Sequence, residues 1–250
     1  MKVGVEIPLG LDGEYAGWEP AAAWDRVVGI ARAADRLGFD TAWVFDHLGT
    51  FGTVRDELSF EAFATLGALI GVTRRIRLGT LVARAGLRNP ALLAKHVATL
   101  DVASGGRMEL GIGAGGTIGE ALAFGYAVPD LACRMGILRD DLEVLRRMLR
   151  DGRATYTGAH AAVAGALNNP RGLQSPAIPL LVGGNSRMAM RMAATYAEEL
   201  NLDGPDPART AQVLPEVRRA CEEIGGAQAH AAALNVVALE GRVADACNAA

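Results

Sequence analysis

Short apolar runs rich in β-branched residues alternate along this chain with longer segments whose apolar positions recur at steps of three and four. That is the rhythm of a parallel α/β fold. Val3–Ile7 opens the series as a strand. Pro20 starts a helix in which Trp24, Val27, Val28, Ala31 and Ala34 share one face, and Gly38 ends it ahead of a second strand, Thr41–Phe45. The unit repeats as a helix over 59–71, a strand Ile76–Val82, a helix over 90–102 and a strand Arg107–Ile112. A further helix carries Leu138, Leu142, Leu145 and Leu149 on one face, with Arg139, Asp140, Asp141, Arg146 and Arg147 mostly opposite, and closes at Asp151-Gly152.

Residues 153–177 break the rhythm. Tyr156-Thr157-Gly158 and Asn168-Asn169-Pro170-Arg171-Gly172 are turn chemistry in a stretch too long for an ordinary loop, which predicts a small excursion such as a hairpin. It is expected to line much of the substrate pocket. Alternation resumes with a strand Ile178–Val182, a helix over 186–197, a strand Glu199–Leu202, a helix begun by Asp206-Pro207 and a strand Ala233–Leu239. A single domain over 1–250 is expected: a parallel (β/α) TIM-type barrel without the eighth strand and final helix. Three arrangements are open: closure by seven strands, completion by a partner chain, or a sheet with an unpaired edge prone to association.

Half of the 250 residues are apolar, enough to bury one large core. The 25 basic and 28 acidic residues form no stripe of Lys and Arg, which argues against nucleic acid or an anionic membrane and for a small-molecule partner. Cys133, Cys221 and Cys247 lie far apart without a CxxC pair, so neither a disulfide framework nor a thiolate metal site is indicated. His96, His160 and His230 have no metal-ligand spacing either. The N-terminus reaches Glu6 and Pro8 too soon for a signal peptide, and no apolar run approaches membrane-spanning length. A cytoplasmic protein is expected.

In a parallel barrel the site is built from the loops that follow the strands. Here those loops hold Asp46-His47, Ala83-Arg84, Gly113-Ala114-Gly115-Gly116-Thr117 and Gly183-Gly184-Asn185-Ser186. Glycine lets a backbone approach a ligand closely, and amides at a following helix start receive a phosphate, so the two glycine loops suit one phosphorylated cofactor. Equally, the glycines serve tight turns. Residues 111–116 also satisfy GxGxxG with Asp130 downstream, a dinucleotide fingerprint, but two earlier βα units precede it where that fingerprint normally opens the first. His47 suits hydrogen bonding to a cofactor carbonyl, or acid–base work with Asp46 beside it; a rim histidine satisfied by its neighbours is the plainer alternative. Glu6 faces the barrel mouth or makes a buried ion pair.

Longer stretches carry a family resemblance. Arg75-Ile76-Arg77-Leu78-Gly79-Thr80-Leu81-Val82, Leu87-Arg88-Asn89-Pro90-Ala91-Leu92-Leu93-Ala94-Lys95 and Thr99-Leu100-Asp101-Val102-Ala103-Ser104-Gly105-Gly106-Arg107 follow one another in order. They continue into Gly111-Ile112-Gly113-Ala114-Gly115, Ala123-Phe124-Gly125-Tyr126, Arg134 and Pro179-Leu180-Leu181-Val182-Gly183-Gly184. Together they resemble the luciferase-like monooxygenase superfamily, most closely the branch using the deazaflavin coenzyme F420.

The resemblance implies hydride transfer between F420 and a small organic substrate, with the protein supplying position and electrostatics. It implies Asp46 and His47 near the reactive ring as the catalytic residues. It further implies a strand bulge with a non-prolyl cis bond behind the ring near Leu81 and Val82. The phosphate region would lie at Gly113, Ala114, Gly115, Gly116, Gly183, Gly184, Asn185 and Ser186, in a homodimer. An FMN-dependent monooxygenase and a non-catalytic, truncated flavin-binding paralogue are the alternatives.

Overall fold

The structure, a computed structural model, describes residues 2–51, 54–202, 207–224 and 235–238. Its main sheet is a parallel, seven-stranded one in sequential order: β1 (Gly4–Glu6), β2 (Thr41–Val44), β3 (Arg77–Arg84), β4 (Met108–Gly113), then, after a hairpin of β5 (Arg153–Thr157) and β6 (Ala162–Leu167), β7 (Leu180–Gly183), β8 (Glu199–Leu202) and β9 (Asn235–Ala238). The sheet curls into an open, incomplete barrel; no pairing joins β1 to β9 among the described residues. Sequential order is that of a barrel and not of a dinucleotide-binding sheet, whose strand order reverses at its centre. Asp206, His230 and Cys247 lie outside the described residues, as do the flanks of the final predicted strand.

Helices cover the outside: α1 (Pro20–Leu37), α2 (Ala62–Ile70), α3 (Pro90–Ser104), α4 (Ile118–Ala123), α5 (Leu131–Arg146) with a π-turn over Arg147–Asp151, α6 (Arg187–Tyr196) and α7 (Pro207–Ile224). Their limits follow local chemistry. Pro20 occupies the first turn of α1, where its missing N–H costs nothing, and Gly38 ends it in the left-handed region at φ 87°. Asn89 caps α3 through Ala91 N, and Ser186 caps α6 through Ala189 N.

Strand alternation divides the packing. Ala42, Val44, Leu78, Leu110, Ile112, Leu180 and Val182 join the helices in the large outer core, while Trp43, Leu81 and Leu181 form a separate interior cluster. Trp43 decides its neighbours: a Cβ on Gly79 would sit 2.5 Å from the indole, and one on Gly4 equally close. Each interior side chain of that size contributes about 1.5–3 kcal/mol by leaving water.

The excursion is a hairpin, as predicted, and it packs on α5. Tyr156 Oη donates to Asp140 Oδ1 at 2.8 Å and the His160 amide to Asp140 Oδ2 at 2.8 Å. Its return segment fastens to the end of the barrel where strands begin. There Leu173 N and Gln174 Nε2 donate to the carboxylate of Asp101, and Arg77 donates to Gln174 Oε1 at 2.8 Å and pairs with Glu109.

Candidate active site

At the opposite end, where the strands finish, a cleft of about 520 Å³ opens. That volume suits a cofactor-sized ligand. Phe45 to Leu48 follow β2, Leu81, Val82 and Arg84 come from β3, Gly113–Thr117 follow β4, Gly183–Ser186 follow β7, and Asn201 comes from β8. All of the expected site residues therefore meet on one cleft. No residue of 153–177 lines it, which corrects the expectation that the excursion shapes the substrate pocket: Tyr156 and the His160 amide are committed to α5, and Leu173 and Gln174 to the far end of the barrel.

The floor is the β3 irregularity. The Leu81–Val82 peptide is cis, and the β3–β4 register shifts between Thr80 and Ala83. Both side chains turn into the barrel, and Val82 fills a hole that three glycines leave. A Cβ on Gly113 or Gly183 would lie 2.8 Å from a Val82 methyl, and one on Gly111 would lie 2.2 Å from the Thr80 carbonyl oxygen. Those glycines are required by packing. Gly115 is required by its backbone, at φ 72°. Gly116 differs: a Cβ there meets nothing within 4 Å and its φ is not positive.

His47 is three-quarters buried, its ring set edge-on against Phe51 at 4.6 Å. Its Nδ1 lies 2.7 Å from Glu120 Oε2, and Glu120 Oε1 accepts from the Leu48 amide. Burial would raise the Glu120 pKa, but the His47 bond, the Leu48 amide and the charges of His47 and Arg84 outweigh it and hold the carboxyl below its ordinary value. A carboxylate only accepts, so Nδ1 carries the proton and Nε2 is the nitrogen left for a ligand. Asp46, by contrast, does not touch His47; its buried carboxylate pairs with Arg88.

Glu120 sits on α4, a six-residue helix that the hydrophobic pattern does not announce. Spacing assigns no site role to Arg88 or Asn201 either, although Arg88 lies in the Leu87–Lys95 stretch that carries the family resemblance. For Glu120 the signal is its polarity just after a glycine loop. Among the described residues no group of three His, Cys, Asp or Glu side chains is placed to hold a metal, and no helix is long and apolar enough to cross a membrane. The described cysteines, Cys133 and Cys221, are free.

The cleft tests well against a flavin-like group. It offers an apolar floor at Leu81 and Val82, a backbone loop open at Gly116, and the N-terminus of α6 behind Ser186.

Comparison with known proteins bears on this geometry. The sequence pattern of the luciferase-like monooxygenase family matches residues 1–244. The chain is 26% identical over 214 residues to 5,10-methylenetetrahydromethanopterin reductase of Methanopyrus kandleri, covering 80% of this chain and 58% of that protein. It is 30% identical over 185 residues to F420-dependent glucose-6-phosphate dehydrogenase of Microbacterium testaceum, covering 73% of this chain and 54% of that protein. The chain thus spans only a little over half the length of these relatives. Among solved structures, an F420-dependent secondary alcohol dehydrogenase bound to an F420–acetone adduct superposes with a TM-score of 0.74 at 24% identity, covering 90% of this chain and 64% of that one.

Proposed function

The chain belongs to the luciferase-like monooxygenase family, and from that membership we propose that it is an oxidoreductase using coenzyme F420 to move a hydride to or from a small organic substrate. The observation that carries the reading is the Glu120-held His47 beside the Leu81–Val82 floor of the cleft. The F420-dependent relative at 30% identity supports the choice of cofactor. FMN is the second candidate.

When bound, the deazaflavin ring supplies a carbon that gives or accepts the hydride. The chain's own residues do the rest. Leu81 and Val82 give the ring an apolar face; Gly113–Gly116 and Gly183–Ser186, with the N-terminus of α6, hold the phosphate region. His47 keeps Nδ1–H on Glu120 and takes or returns the substrate's proton at Nε2, while Phe51 excludes water from one side of the imidazole. The same reading includes a cytoplasmic homodimer, the compartment supported by Cys133 and Cys221, which are free among the described residues.

Fluorescence titration of the purified protein with F420 and, separately, FMN tests this, with light scattering on the same sample for the dimer. F420 should bind, and His47→Ala should cut turnover about 10²- to 10⁴-fold with little change in Tm. Binding of FMN alone, with oxygen uptake on reduced FMN, would make the protein a monooxygenase. Binding without turnover over a donor panel would leave a non-catalytic flavin binder, and binding of neither would sink the proposal.

A further inference from the structure

Asp46 immediately precedes His47, yet its carboxylate is closed to any ligand in the cleft. The side chain has no exposed surface. Oδ1 accepts from Arg88 Nη2 at 3.0 Å; Oδ2 accepts from Arg88 Nη1 at 2.7 Å and from the Arg84 amide at 3.1 Å. Arg88 Nη2 donates a second bond, to Glu61 Oε1 at 2.6 Å, and the guanidinium lies 4.4 Å from the centre of the Phe63 ring. Burial alone would lower the Arg88 pKa, but Asp46 and Glu61 reverse this and raise it.

The location gives this fork its meaning. Main-chain pairing of β2 with β3 runs from Thr41↔Arg77 to Val44↔Thr80, and the register shift begins right there, between Thr80 and Ala83. Past that point the Arg84 amide meets a side chain, Asp46 Oδ2, on the β2 side. The Asp46 carboxylate therefore continues the seam between the two strands where the backbone stops doing so. Arg88 holds that carboxylate in place, and Glu61, the N-cap of α2, holds Arg88. His47 is the next residue along.

We propose that Arg88 is a positioning residue for the His47 imidazole: its bidentate hold on Asp46 fixes the main chain from which His47 enters the cleft, while Glu120 fixes the ring. Asp46 is then a fastening and takes no proton from substrate. The inference rests on the reading of His47 as the group nearest the reacting ring. Lysine keeps the charge of Arg88 but presents one point where the guanidinium presents a planar fork, so it cannot serve both carboxylates in this geometry.

The test uses protein labelled with ¹⁵N-histidine, without cofactor, and follows the His47 ring nitrogens against pH in wild type, Arg88→Lys, Asp46→Asn and the double variant. Glu120 from α4 pairs with His47 and Arg84 from β3 acts on Glu120, and neither changes; of the neighbouring Asp46–Arg88 pair, only Asp46→Asn and the double variant alter the charge. Arg88→Lys preserves net charge, so a moved His47 midpoint, by ~0.5 pH unit, reports geometry. The double variant should move no further than the larger single one, because Arg88 acts through Asp46. In turnover, Arg88→Lys should lower kcat ~10-fold with F420 affinity within ~2-fold of wild type. An unmoved His47 midpoint in folded Arg88→Lys, or additive shifts in the double variant, overturns the proposal. Should Arg88→Lys not fold, Asp46→Asn, which keeps an oxygen for the Arg84 amide but removes a charge beside His47, carries the comparison through kcat against F420 affinity: unchanged kcat in folded Asp46→Asn then overturns the proposal. If F420 does not bind at all, the function proposed above fails while the titration of His47 still decides this one.

Discussion

Two buried aspartates, one at each end of the barrel, are treated in opposite ways. Asp101, on α3 at the end where strands begin, is wholly buried and accepts from Met108 N at 3.2 Å, Leu173 N at 2.7 Å and Gln174 Nε2 at 2.7 Å. Asp141, on α5 at the end where strands finish, is 2% exposed and accepts only from Gly86 N, at 2.9 Å, among the described residues. Burial, opposed by that single bond and reinforced by the Asp140 charge, pushes the Asp141 carboxyl up to about 7. The end where strands begin is closed around Asp101, whose carboxylate is matched to donors from the main chain and the excursion. The other end leaves Asp141 with a single bond, and it is there that the cleft and His47 lie. Stability and function have been assigned to different ends, as barrel architecture favours.

The largest effect should come from opening the closed end. Asp101→Ala would leave three donors without their acceptor, the Met108 amide in the buried interior and the other two part-buried, at about 3–5 kcal/mol after relaxation. The expected outcome is a fall in Tm on the order of 10 °C, with cofactor affinity unchanged in the protein that remains folded. Thermal unfolding beside an F420 titration checks both halves. A variant that keeps its Tm but loses affinity would erase the distinction between the ends.

Asp141 should respond in the opposite sense, and with pH. Its folded pKa, about 7, lies above the ordinary 3.8, so the native state holds a proton that the unfolded chain has released in between. Stability is therefore lost as pH rises from about 4 to about 7, and the whole penalty is present above that. Asp141→Asn keeps an oxygen for the Gly86 amide and has no charge to bury. Its stability relative to wild type should grow by roughly 2 kcal/mol between pH 5 and pH 8. Urea unfolding at the two pH values measures this, and a difference independent of pH would show that the carboxyl is already ionised at pH 5.

Much of the architecture was legible because it is written locally. Pro20 and Gly38 bound α1, Glu199–Leu202 emerges as β8 with the predicted limits, and the turn residues of 153–177 produce a hairpin. The site was legible as a set of loops but not as a set of partnerships. Asp46 and His47 are adjacent in sequence, and adjacency suggested a pair. Neighbours in extended backbone point to opposite sides, and these two went to Arg88, 42 positions from Asp46, and to Glu120, 73 positions from His47. No spacing rule reaches so far. Glu120 was harder still, since α4 has six residues and too few turns to display a period. The hairpin misled in its purpose: a pocket-lining role was expected of it, while Asp140, hidden on α5, supplied its anchor.

The smallest change separates two meanings of glycine within the cleft itself. Gly111, Gly113 and Gly183 are glycine on account of the Thr80 carbonyl and the Val82 methyls, and Gly115 on account of its φ of 72°; all four would be needed in a protein that bound nothing. Gly116 has neither reason. An alanine methyl there would meet open space, and the unfolded chain would lose some freedom, so Gly116→Ala should leave Tm unchanged or raise stability by about 0.4–1 kcal/mol. If the loop after β4 takes the phosphate region of the cofactor, that methyl stands where the ligand must approach, and F420 affinity should weaken ~10-fold, about 1.4 kcal/mol. Affinity equal to wild type would return this loop to the class of tight turns and move the phosphate contacts to Gly184–Ser186 and the N-terminus of α6. Weaker binding at undiminished Tm is the signature of a glycine kept for a ligand and not for the fold.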